Sequence, residues 1–143
     1  MTSQVFEPVL TVHDWWDGPR AGVAHFRGQP HLYLSSWDDA ADDWSDIYAL
    51  AALDAGTLAL ALEDYEIWRR WRIAFDAGTV AASSGPALPQ DAARAQELKG
   101  LLGPLFGGSA PTIAHAKAEF RRRASIDART DPYGLEVRWQ VVL

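Results

Sequence analysis

The chain has 143 residues, 48% of them hydrophobic and 22% charged, and a formal net charge of −6. That is the size and balance of one globular domain able to bury a core, so a disordered chain is excluded. With no cysteine there is no disulfide, thiolate metal site or cysteine nucleophile.

The opening, MTSQVFEPVL, lacks the basic start and apolar run of a signal peptide. No stretch reaches the roughly 18 apolar residues of a membrane span. A cytoplasmic protein folded as a single domain over residues 1–143 is therefore expected.

A first strand is predicted over Val9–Trp16. Alternation places Leu10, Val12, Asp14 and Trp16 on one side and Val9, Thr11, His13 and Trp15 on the other. Asp17-Gly18-Pro19-Arg20 is a turn, because glycine and proline supply the backbone angles a turn demands. Gly22–Arg27 and His31–Trp37 then read as a β-hairpin. A three-residue loop at 28–30 gathers Ala24, Phe26, Leu32 and Leu34 on one face, and His25, Arg27, His31 and Tyr33 on the other. A two-residue loop would mix apolar and polar residues on both faces, so hydrophobic consistency favours the longer loop.

Residues 38–46 form an acidic loop, DDAADDWSD, ahead of an apolar strand Ile47–Leu53. Asp54 is placed to cap a helix that runs to about Ala77, with Gly78 as its left-handed stop. Leu58, Ala61, Leu62, Tyr65, Trp68, Trp71 and Phe75 form its broad apolar face. Glu66 precedes Arg69 and Arg70 in the favourable order for ion pairs along a helix.

After a loop at 79–88, Pro89 suits the start of a second helix carrying Leu98, Leu101, Leu102 and Leu105 and weakening at Gly103-Pro104. Two strands close the chain. In the first, Ala114, Ala116, Ala118, Phe120, Ala124 and Ile126 alternate with His115, Lys117, Glu119, Arg121 and Arg123. After a turn at Asp131–Gly134, Leu135, Val137, Trp139, Val141 and Leu143 alternate with Glu136, Arg138 and Gln140. The order β-β-β-β-α-α-β-β points to an α+β domain: an antiparallel sheet or small open barrel of about six strands, with the long amphipathic helix packed on one face.

The run DWWDGPRAGVAHFRGQPHLY (Asp14–Tyr33), with DDWSDIYAL and LEDYEIWRRW, resembles a family of small uncharacterised bacterial proteins over about the first 80 residues. That resemblance implies a shared fold and brings no activity, cofactor or site residue with it.

Charge is divided along the chain. Residues 1–66 hold 12 acids against 2 bases, and residues 67–143 hold 7 against 11. Either the two halves pair internally, or the surface is dipolar and steers a charged partner. The seven tryptophans are core-sized side chains, with room for one or two at a binding face.

Asp14 sits among apolar neighbours in the alternation, so it reads as a partner of Arg20 pinning the turn, or as a general base. His25 and His31 share a face about 7–8 Å apart in the hairpin register above, with His13 close by if the first two strands pair. Imidazoles with an aspartate are a zinc or iron ligand set, but no short ligand pair supports one. No metal site and no cofactor is expected. The acidic loop lacks the glycine and glutamate of a calcium-binding hand. Its aspartates with Trp37, Trp44 and Tyr48 read instead as aromatic anchors in a charged rim. No serine lies in a nucleophile elbow, and no glycine pattern cradles phosphate. Lys117, Arg121, Arg123 and Arg138 share a strand face, yet the net acidity argues against nucleic acid.

Two expectations follow. The first is a non-catalytic binding protein of immunity or antitoxin type, holding a basic protein partner through Trp37, Asp42, Asp43, Trp44, Asp46 and Tyr48. The alternative is a small enzyme or ligand-binding domain, metal-dependent in one version, with Asp14, Arg20, His25 and His31 in a pocket between sheet and helix. A minor third reading is a homo-oligomer joined through the terminal strand.

Overall fold

The computed structural model describes residues 5–124 and 133–143. Its strands are β1 (Glu7–Trp15), β2 (Pro19–Phe26), β3 (Gln29–Leu34), β4 (Trp37–Asp38), β5 (Asp43–Trp44), β6 (Ile47–Ala52), β7 (Thr112–Arg122) and β8 (Leu135–Val141). The helices are α1 (Ala55–Asp76) and α2 (Ala92–Pro104). Ile126 and the start of the last turn, at Asp131, lie outside the described residues.

Arg27 and Gly28 decide the register of the first hairpin. Both have positive φ, 54° and 80°, the left-handed pair that a two-residue turn matched to strand twist requires. The Glu7 carboxylate supports the strained arginine by accepting hydrogen bonds from the amides of Arg27 at 3.2 Å and Gly28 at 2.7 Å. The ladder therefore pairs Ala24 with His31, Val23 with Leu32 and Gly22 with Tyr33.

This corrects the three-residue loop. Both faces of the hairpin are dry, so mixing apolar residues onto both is what the fold needs. Ala24, Phe26 and Tyr33 face one core, Val23 and Leu32 another.

The reason lies in the topology. Strands β1-β2-β3-β6-β7-β8 close into an antiparallel barrel, so the α+β barrel expected from the sequence forms, and it is closed rather than open. Its interior holds Ala24, Phe26, Tyr33, Tyr48, Leu50, Ala116, Val137 and Trp139. A barrel of six strands is narrow enough to be filled by side chains alone. Four rings fill most of it: Tyr33 lies 6.0 Å from Tyr48, 5.8 Å from Phe120 and 6.3 Å from Trp139.

Polar atoms carried inside are paired. The Tyr33 hydroxyl donates to the Thr11 carbonyl at 2.9 Å, that of Tyr48 to Pro19 at 2.6 Å, and the Trp139 indole to His25 at 2.9 Å. Gly22 leaves the space that Tyr33 needs, since a Cβ there would run into the Thr11 carbonyl and the Tyr33 hydroxyl.

The second core lies outside the barrel, where Val23, Leu32 and Ala51 meet Ala61 and Ile67 of α1 and Leu98 and Leu102 of α2. Asp54 caps α1 as expected, accepting from the Thr57 amide at 2.7 Å, and Gly78 follows it at φ 75°. The buried stripe of α1 is shifted from the predicted one: Ile67 is buried and Leu62 is exposed. Paired two-toothed contacts, Glu63 with Arg94 and Arg70 with Asp91, bind α1 to the α2 region. Such forks add geometric definition more than stability at the surface.

Candidate functional site

The tryptophans divide sharply. Only Trp139, 1% exposed, belongs to the buried core, whereas Trp16 is 65%, Trp37 48% and Trp15 43% exposed. Tryptophan as core filler is therefore corrected for Trp15 and Trp16, while Trp37 stands at the surface as expected, and their exposure marks two places.

The first place is the end of the barrel where β1 turns into β2 and β3 passes to β6. Between β3 and β6 the chain forms a flap in which β4 and β5 pair Trp37 with Trp44 and Asp38 with Asp43. The two indoles meet edge to face at 5.8 Å. The Asp38 carboxylate accepts from the Ala40 and Ala41 amides, and Asp42 takes a positive φ of 52° to close the turn. The expected acidic loop is thus an ordered flap. Asp38, Asp39, Asp42, Asp43 and Asp46 are all exposed, and none is ion-paired among the described residues.

Arg20 ties this flap to the β1–β2 turn. Its guanidinium donates to the carbonyls of Trp16 at 2.7 Å and Asp17 at 2.9 Å, reaches the Tyr48 hydroxyl at 3.5 Å, and lies 5.4 Å from the Trp44 ring centre. The turn is pinned by these oxygens and by no Asp14 pairing. Asp14 is exposed, because register shifts on either side of it break the alternation that placed it on an apolar face.

A crevice of about 420 Å³ lies beneath, lined by Asp14, Arg20, Ser35, Trp44, Phe106 and His115 among others. It brings Trp44 to Asp14 and Arg20, which the sequence had grouped apart from it. Trp44 keeps its indole Nε1–H buried without an acceptor among the described residues. Tyr48 leaves the expected surface altogether: it points into the barrel, where burial raises its hydroxyl above the usual tyrosine range against the lowering pull of Arg20.

The histidines separate. Pairing of Ala24 with His31 and His25 with Pro30 puts the two imidazoles on opposite faces of the hairpin, which corrects their shared face. Among the described residues no three His, Asp or Glu side chains gather as a metal ion requires. The basic strand face is also partly engaged: Arg121 meets Glu136 and Arg138 meets Glu119, each at 2.6 Å across β7 and β8. Of the N-terminal carboxylates only Glu63 and Glu66 pair with arginines of the second half among the described residues.

The second place lies between sheet and helix, where a pocket was expected, but none of Asp14, Arg20, His25 and His31 lines it. A cleft of about 660 Å³ opens between β1, α1, α2 and the segment around Gly85. Trp15, Tyr133, Trp68 and Tyr65 form a continuous stack along it, with centres 4.7, 4.8 and 5.6 Å apart. His13 lies against Phe106 at 3.9 Å, its Nδ1 3.7 Å from Asp64, too far for a hydrogen bond. The one signal for this cleft was the three-residue spacing of Tyr65 and Trp68 on α1. The contacts of Trp15 with Tyr133 and His13 with Asp64 span the chain and leave no local pattern.

Comparison with family models, with curated proteins and with solved structures finds no match. Among the described residues no helix is long and apolar enough to cross a membrane.

Proposed function

We propose that this chain is a non-catalytic binding protein of the cytoplasm, which holds a basic protein partner at the aromatic–acidic end of its barrel. An immunity or antitoxin role is the concrete form. The observation that carries it is the pair of tryptophans, Trp16 and Trp37, standing exposed on a turn and a flap that Arg20 braces together. Large aromatics surrounded by charge are the usual build of an interface hot spot, where the ring is desolvated by the partner and the rim sets orientation.

Five aspartates with no ion pair among the described residues supply that rim. They select a cationic surface and speed its approach, more than they add affinity. The buried Trp44 Nε1–H offers a donor to an acceptor carried in by the partner. Two parts of the pattern that carries the bacterial resemblance, DWWDGPR and DDWSD, build this end, and we propose that members of that family share this surface.

Affinity capture from an extract of the source cells tests the proposal. The immobilised chain is expected to retain a basic protein at low salt and release it at high salt. A variant with Asp39, Asp42, Asp43 and Asp46 changed to asparagine should retain much less. Capture that is independent of salt and of these four aspartates, or that brings down no basic protein, sinks the reading.

A further inference from the structure

The cleft beside α1 is separate from the partner-binding end and carries its own chemistry. Trp15 is the side chain to explain. A tryptophan left 43% exposed on a strand gains little for the fold, although Tyr133 stacks on it and Trp68 on Tyr133 within 7° of parallel. Four rings in register make an aromatic wall along a cavity of about 660 Å³, within the range of sites that enclose a small molecule.

The opposite walls are held apart rather than collapsed. The Trp71 indole donates to Ser84 at 3.1 Å and packs so closely on Gly85 that any Cβ there would overlap it. The Glu63–Arg94 and Arg70–Asp91 forks fix α2 at its distance from α1. A space with rigid walls loses little on binding, which is the general route by which preorganisation raises affinity.

Charge narrows the occupant. Asp64, the acid of the cleft, has His13 beside it. Ser84 is occupied, donating to the Ala81 carbonyl while it accepts from Trp71. Lys99, on the α2 side of the lining, has no carboxylate partner among the described residues. We propose that this cleft binds a small planar aromatic anion, its ring extending the Tyr133–Trp15 stack on the exposed side of Trp15 and its carboxylate or phosphate toward Lys99.

Isothermal titration of the whole chain with three probes tests both halves. Indole-3-acetate carries ring and anion, 3-methylindole the ring alone, and cyclohexylacetate the anion without a flat ring. Indole-3-acetate should bind best, with cyclohexylacetate at least about fivefold weaker, since stacking on one aromatic side chain is worth about 1–3 kcal/mol. Trp15→Ala should weaken both indoles by about tenfold, and Trp15→Phe should restore most of the loss. Lys99→Ala should weaken indole-3-acetate alone and bring it down to the level of 3-methylindole. Both positions are exposed, so the variants are expected to fold, and Trp15→Phe covers the case in which alanine does not. No heat from any probe at millimolar concentration overturns the proposal. So does equal binding of cyclohexylacetate, or binding that neither Trp15→Ala nor Lys99→Ala changes. Neither partner capture nor its salt dependence enters these readouts, so this site stands or falls apart from the barrel end.

Discussion

Inside the barrel Tyr33, Tyr48, Phe120 and Trp139 pack ring against ring; at its end Trp16 and Trp37 stand in solvent. The same residue class meets opposite fates within a few residues of chain. What separates them is whether the strand closes a cylinder around the ring or releases it at a turn. The interior aromatics hold the fold together, with every described polar atom bonded to a backbone carbonyl. The outer ones contribute little to it, and recognition is the role proposed for them.

Substitution is the bluntest way to break that comparison. Trp139→Ala empties the centre of the barrel and should cost about 3–5 kcal/mol. Trp16→Ala and Trp37→Ala should stay within about 0.5 kcal/mol of the parent, as exposed changes do. Chemical denaturation measures both, and a large loss at Trp37 would erase the distinction. Next in size, Gly22→Ala drives a methyl into the Thr11 carbonyl and the Tyr33 hydroxyl and should cost about 1–3 kcal/mol. Gly107→Ala meets no neighbouring atom and serves as its control.

Alkaline pH sharpens the picture further. Burial, first among the causes, raises the Tyr33 hydroxyl well above its ordinary value of 10.0, and raises Tyr48 as well. The unfolded chain therefore ionises these groups before the fold does. Their contribution is fully present below pH 10 and is lost as pH rises through the raised values. Denaturation midpoints followed from neutral pH upward should fall above about pH 10, and Tyr33→Phe should flatten the decline. A tyrosinate signal in which all tyrosines titrate near pH 10 while the chain stays folded would contradict the buried placement.

Much of the fold was legible in the sequence because its punctuation is local. Asp54 and Gly78 bracket α1, Asp17-Gly18 turns β1 into β2 with Pro19 and Arg20 of the expected turn already in β2, and the strand order follows from alternation. The hairpin register was not legible. Alternation finds a register by assuming one wet face, and the barrel dries both faces of β2 and β3. Asp14 misled for a related reason: shifts in the β1–β2 ladder carry no mark in residue type. The turn at Arg27-Gly28 hid because arginine is a poor residue at positive φ, tolerated here through the reach of Glu7 from another strand. Trp37 could be proposed as surface from its acidic surroundings, whereas Trp44, proposed with it, is half-buried. A pocket between sheet and helix could be proposed too, but not its lining, since Trp15, Trp68 and Tyr133 meet only once the chain is folded.

The central claim is that the exposed tryptophans serve binding and not folding. Partner retention by the Trp16→Ala/Trp37→Ala double variant, with its melting midpoint taken on the same sample, tests that most directly. The account predicts a midpoint close to the parent's and loss of the basic protein that the parent captures at low salt. A variant that keeps the partner, or that loses it only by unfolding, contradicts the account.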